Sequence, residues 1–209
     1  MHKTRIYFLS LFAFTICLDA HAQQVVFDMS KVKQNSNISV LKFYISAISL
    51  HCKDNTTYLM PQKAILINAL DSNKNNFNLM QHFNSEVDSI TFNIGIDSLT
   101  NVSGAYEGDL DPMNNMYWTW QSGYINLKLE GAIDDGLYRE YHLGGYANPN
   151  NALQKVSLKV NDAENIMIYI HLDDFIHSIP DSIPFKLMTP CPKAVYLAHL
   201  FAKCLSNEK

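Results

Sequence analysis

Hydrophobic and polar positions alternate along most of this chain, the period of a strand with one buried face and one partly wet face. Leu41, Phe43 and Ile45 alternate with Lys42 and Tyr44. Ile90, Phe92, Ile94 and Ile96 alternate with Thr91, Asn93, Gly95 and Asp97, and Ile125, Leu127 and Leu129 with Asn126, Lys128 and Glu130. Val156, Leu158 and Val160 repeat the theme, as do Ile166, Ile168, Ile170 and Leu172. Stretches rich in Asn, Asp and Pro at residues 71–76 and 147–151 supply turns between such runs. Many short strands with no helices interleaved predict an all-β fold, an antiparallel β-sandwich. One segment departs from the pattern. Ala194, Leu197, Ala198, Phe201 and Leu205 fall at helical spacing after Cys191-Pro192, predicting one short amphipathic C-terminal helix over an open end or edge of the sandwich.

The N-terminus reads as a leader rather than as part of this fold. His2, Lys3 and Arg5 form a positive n-region, and an apolar run from Ile6 to Leu18 follows. Ala20-His21-Ala22 then places small residues at −3 and −1 of a signal-peptidase site. The apolar core is about a dozen residues, short of the roughly 20 that span a bilayer as a helix. The expectation is a signal peptide over residues 1–22, cleaved after Ala22, and a protein exported to the periplasm or beyond. Residues 23–209 then form one domain, with no internal repeat and no further segment apolar enough to cross a membrane.

Loss of Lys3, Arg5 and Asp19 with the leader would take the formal charge from −4 to −5 and leave Arg139 as the one arginine. Such a surface has no electrostatic footprint for nucleic acid. Cys52, Cys191 and Cys204 remain, an odd number in an oxidising compartment. A helix between the last two would hold them roughly 18 Å apart, beyond the reach of a disulfide. Cys52 paired with one of them and three separate thiols both stay open. No Gly-x-Ser-x-Gly, His-Glu-x-x-His, Cys-x-x-Cys or glycine-rich phosphate loop occurs, so the chain is not expected to be an enzyme.

The stretch from 95 to 145 carries a resemblance. It contains Gly95-Ile96-Asp97-Ser98, Gly108-Asp109-Leu110-Asp111-Pro112, Met116-Tyr117-Trp118-Thr119-Trp120-Gln121-Ser122-Gly123-Tyr124 and Tyr141-His142-Leu143-Gly144-Gly145. These elements resemble the MbnP-like family, methanobactin-associated periplasmic copper-binding proteins. The resemblance extends over nearly all of residues 23–209 and implies a secreted β-sandwich concerned with copper. It further implies Cu(I) held by histidines and by a tryptophan oxidised to kynurenine, with a dihaem peroxidase-like partner performing the oxidation.

Read for themselves, the same residues allow two functions. Trp118 and Trp120 are two apart and would share one face of a strand, either as a core wall or as the oxidisable position. Cu(I) is a soft ion that accepts imidazole and thioether donors. His142, His171, His177 and His51 are therefore the candidate metal ligands, with Met113 and Met116 as further soft donors. His171 is placed on the mixed face of its strand and His177 just after it; His51-Cys52 stands at a strand end. His82 and His199 read as surface residues. Asp109 and Asp111 lack calcium-loop spacing and read as turn residues. The leading expectation is a Cu(I) carrier or scavenger. The alternative is a metal-free secreted sandwich that binds a protein partner.

Overall fold

A computed structural model describes residues 23–30, 32, 37–79, 85–121, 123–133, 136–161 and 165–209. Residues 1–22, on which the expected leader and cleavage site fall, and His82 lie outside the described residues.

Two sheets face one another. The larger has nine strands built around β2 (Ile38–Cys52) and β8 (Gly123–Ile133), in the order β10 (Gln154–Lys159), β6 (Val87–Ile94), β2, β8, β9 (Leu137–Gly144), β12 (Lys186–Leu187). The short strands β3 (Thr57–Leu59) and β4 (Ala64–Asn68) also pair with β2, and β7 (Tyr117–Trp118) pairs with β8. The smaller sheet runs β13 (Leu205–Ser206), β11 (Asn165–Ile170), β1 (Gln23–Asp28), β5 (Asn76–Leu79). Most pairs are antiparallel, as expected of a sandwich. Two are parallel, β1 with β11 and β9 with β12, so both sheets are mixed.

The alternation in the sequence explains the packing. Leu41, Phe43 and Ile45 of β2, Ile90, Phe92 and Ile94 of β6, and Leu127 and Leu129 of β8 all enter the core between the sheets. Val25 and Phe27 of β1 and Ile166, Ile168 and Ile170 of β11 meet them from the other side. Edge-on aromatic contacts link the layers: Phe27 lies 5.5 Å from Phe43 and 6.1 Å from Phe92. In β2 the inward parity changes after Ile45 to Ile48 and Leu50, because Ala47 takes a left-handed conformation (φ 49°) and bulges the strand.

Short helices at residues 98–102 and 172–177 accompany the one that periodicity foretold. The C-terminal helix, here α3 (Pro192–Lys203), buries Ala194, Leu197, Ala198 and Phe201. Short α1 (Ser98–Val102) begins where the Asp97 carboxylate accepts a hydrogen bond from the Thr100 amide. Short α2 (Leu172–His177) corrects the extended reading of this segment: β11 stops at Ile170, and Leu172, Phe175 and Ile176 form a buried helical stripe. Asp173 and Asp174 stand in its first turn, where carboxylates favour a helix start. His171 is therefore the residue preceding a helix rather than a strand residue, and His177 ends that helix. The thiols of Cys52, Cys191 and Cys204 are separate, the last two standing at opposite ends of α3. Among the described residues no helix is long and apolar enough to cross a membrane.

Candidate functional site

The outer face of the large sheet, turned away from the sandwich core, carries the candidate site. One part of it is not open to solvent. A second apolar cluster of Tyr44, Leu66, Ile96, Leu110, Met116, Trp118, Tyr124 and Ile125 forms where residues 95–121 fold back across the strands. Gly95, with φ +108°, lets the chain leave β6, and a side chain there would collide with Asn126. Asn101 then clamps the returning chain, its amide donating to the Ile96 and Asp97 carbonyls while its oxygen accepts from the Tyr124 amide. The Tyr44 hydroxyl donates to the Asp109 carbonyl and the Tyr124 hydroxyl to that of Leu110, each at 2.9 Å. Asp111 accepts from the Met113 amide as the turn residue expected, whereas Asp109 accepts from the Leu66 amide and ties the returning chain to β4.

The tryptophans sit at the end of this cover. Trp118 pairs with Gly123 and is almost fully buried (6% exposed). Strand β7 ends there, so Trp120 lies in the following turn rather than on the shared strand face expected, and is 63% exposed. The turn nevertheless brings the two rings to 5.8 Å between centroids, tilted by 44°. The Trp118 six-membered ring rests on Gly144, where an added β-carbon would stand 2.7 Å from Cζ3. The buried Trp118 Nε1 has no hydrogen-bond partner among the described residues.

His142 is two positions before Gly144. Tyr141 and Leu143 of β9 point into the sandwich core, which puts His142 and Gly144 together on the outer face. Consecutive residues on one face of a strand are about 7 Å apart, so His142 is the neighbour of the Trp118 seat. Its Nε2 lies 2.7 Å from Oε1 of Glu130 on β8, and Lys128 Nζ approaches that same oxygen at 3.2 Å. Burial drives the imidazole below its ordinary pKa, against the upward pull of Glu130. Burial alone would raise the Glu130 carboxyl, but bonds from His142 and Lys128 outweigh it and hold it low. The pair is therefore a neutral imidazole beside a carboxylate. Lys42, opposite Lys128 in the adjacent strand, has its pKa lowered by burial and by that neighbour, and donates to the Asn114 carbonyl.

A family model named MbnP matches residues 12–185. The chain belongs to the MbnP family. Among solved structures, MbnP from Methylosinus trichosporium is similar with a TM-score of 0.51 at 13% identity, covering 75% of each chain. That likeness is one of fold. No curated protein matches the sequence. Helix α3 lies beyond the matched residues, although Phe201 packs 5.4 Å from both Phe43 and Phe175 in the core.

On this MbnP framework the other candidate ligands are dispersed. His51, at the end of β2, places its ring nitrogens 3.0 Å from Thr57 and 3.1 Å from Thr91 hydroxyls. His171 bonds Ser206 at 2.8 Å at the edge of the smaller sheet and lines a cavity of about 30 Å³ with Asp28, Tyr169 and Lys209. His177 bonds the Asp173 carbonyl in its own helix, and His199 lies 3.2 Å from Gln154. Met116 is wholly buried in the second cluster, whereas Met113 is 84% exposed. Among the described residues, no three of His, Cys, Asp and Glu converge as a metal-binding group. The structure thus brings His142, Trp118 and Trp120 to one region and leaves the remaining candidates apart. Glu130 was missed in the sequence. Its only signal there was a polar position in an alternating strand, and the diagonal pairing with His142 depends on strand register.

Copper, implied by the family resemblance, can be tested against these donors. A soft ion of low coordination number suits an imidazole nitrogen. His142 supplies one, and the buried Trp118 nitrogen is a polar atom without a protein partner among the described residues. An intact indole is a hydrogen-bond donor only. Of this set, His142 alone offers a lone pair suited to copper; a tryptophan would offer one only after conversion to a group that carries lone pairs.

Proposed function

We propose that this MbnP-family protein is an exported periplasmic copper carrier that holds Cu(I) on the outer face of its large sheet. His142 is the imidazole donor, and an oxidised member of the Trp118/Trp120 pair supplies the second. The observation that supports this most is the seat of Trp118 on Gly144, two residues along the same strand face from His142. Oxidative cleavage of the pyrrole C2–C3 bond adds two oxygen atoms, and hydrolysis then releases C2 as formate, leaving the aromatic amine and ketone of kynurenine, both of which carry lone pairs. A dihaem peroxidase-like partner would deliver the oxidant, and the 63% exposure of Trp120 gives such a partner access to the pair. The protein itself performs no catalytic turnover in this reading. Glu130 and Lys128 hold His142, while the cover formed by residues 95–121 holds Trp118. His51, His171, His177, Met113 and Met116 have no part in this site.

A second reading is a metal-free module for a protein partner. Four exposed apolar side chains from the covering segment favour it: Leu99, Val102, Met113 and Trp120, each more than half exposed.

The deciding experiment uses mature protein from its native host, examined by intact mass, by metal analysis and by Cu(I) titration. One tight equivalent of Cu(I), with the mass gain of kynurenine in the peptide containing Trp118 and Trp120, supports the carrier. That copper must be lost in His142→Ala. Oxidised protein that ignores Cu(I) overturns the carrier in favour of the metal-free module.

A further inference from the structure

We propose that Glu130 is a positioning residue that fixes His142 in its Nε2-protonated form and leaves Nδ1 as the nitrogen available to a ligand. This inference rests on His142 as a copper donor, and it follows from one arrangement of three side chains. Glu130 stands opposite Glu140 in the β8–β9 register, while His142 stands opposite Lys128. The carboxylate therefore reaches His142 diagonally, and its Oε1 receives both the imidazole Nε2 at 2.7 Å and the Lys128 ammonium at 3.2 Å.

An ionised carboxylate has lone pairs and no proton to donate, so the nitrogen facing it must carry the hydrogen. The adjacent ammonium stabilises that ionised form. A neutral imidazole has a single N–H, and Nδ1 consequently keeps its lone pair. No described residue hydrogen-bonds Nδ1, whereas both nitrogens of His51 face hydroxyls. Among the candidate histidines His142 is also the one buried beside a carboxylate, the arrangement that orients metal-binding imidazoles from their far side. Carboxylate, ring and open nitrogen thus lie in sequence, and the ring cannot turn its other nitrogen outward without losing the 2.7 Å bond.

The test reads the ring before any metal is added. Two-bond ¹H–¹⁵N correlation spectra of the ¹⁵N-labelled, metal-free mature protein should give the Nε2–H pattern for His142 at neutral pH. Glu130→Gln keeps an acceptor oxygen and should preserve that pattern. Glu130→Leu should yield a mixture of tautomers and weaken Cu(I) binding by about 10–100-fold in a competition assay. A wild-type His142 protonated at Nδ1 overturns the proposal, and so does Cu(I) affinity unchanged in Glu130→Leu. Should Glu130→Leu not fold, the wild-type spectrum and the Glu130→Gln variant still decide. A protein with the expected tautomer but no copper uptake overturns the ligand role of His142 and leaves the ring's orientation by Glu130 standing.

Discussion

Trp118 occupies the space that a side chain at residue 144 would need: its Cζ3 and Cη2 lie 2.7 and 3.0 Å from the position of a β-carbon on Gly144. The Tyr124 carbonyl closes the same space at 2.6 Å. Neither an indole held in a two-residue strand pairing nor a strand carbonyl can retreat freely. Gly144→Ala should therefore destabilise the fold by about 1–3 kcal/mol, the usual cost of overpacking, and displace Trp118 from beside His142. Urea denaturation with tryptophan fluorescence measures both. An unchanged midpoint and emission would mean that Trp118 is not seated as described.

The two tryptophans should separate cleanly in stability. Trp118 is almost wholly buried, so Trp118→Ala should cost about 3–5 kcal/mol. Trp120 lies mainly in solvent, and Trp120→Ala should change stability by no more than about 0.5 kcal/mol. Denaturant midpoints check this pair. The milder Trp118→Phe and Trp120→Phe variants, oxidised alongside wild type, then test the proposed kynurenine. One of the two should fail to gain its mass; a gain in both variants, or in neither the variants nor wild type, would contradict a single oxidisable tryptophan of this pair.

Acid should weaken the metal-free protein in two stages. His142 has a lowered pKa in the fold, so the unfolded chain binds a proton first as pH falls below the ordinary imidazole value of 6.5. Folding stability therefore rises with pH between the lowered value and 6.5 and is lost in the opposite direction. Glu130 and Asp97 contribute stability above their ordinary values of 4.5 and 3.8, and that part is lost as pH drops through their lower folded values. His142→Gln should flatten the first stage relative to wild type and keep the Asp97 part of the second, which Thr100 and not His142 sustains. Thermal midpoints recorded across this range provide the check; an identical first stage in the variant would contradict the assignment to His142.

Much of the framework was legible because alternation reports burial directly. Ile90, Phe92 and Ile94 face the core as their spacing foretold, and the Ala194–Phe201 stripe marked α3. Leu172 misled because its parity continues that of Ile166, Ile168 and Ile170; Phe175 and Ile176 held the helical signal. The motif block carried the family resemblance, and within it Trp118 packs on Gly144 and against Trp120. What a single sequence could not reveal was register. The bond from Glu130 to His142 requires that Lys128 lie opposite His142, and a slip of one residue would put Glu130 on the other face. The parallel pairing of β1 with β11 was hidden for the same reason, because nothing in either strand specifies its partner.

Helix α3 lies outside the residues matched by the family model, yet its contacts make it part of the core and not an appendage. Phe201 is fully buried and presents its ring edge-on to Phe43 of the large sheet and Phe175 of α2. Removing that ring leaves a cavity bounded by a strand on one side and a helix on the other, which cannot close in concert. Phe201→Ala should cost about 3–5 kcal/mol, whereas Tyr196→Ala, on the 43% exposed side of the same helix, should cost far less. Urea denaturation of the two variants makes the comparison at constant helix length. Equal, small losses would show that α3 merely lies on the sandwich; a large loss confined to Phe201 identifies it as the ring that joins the helix to the strand carrying Lys42 and Tyr44 on its opposite face.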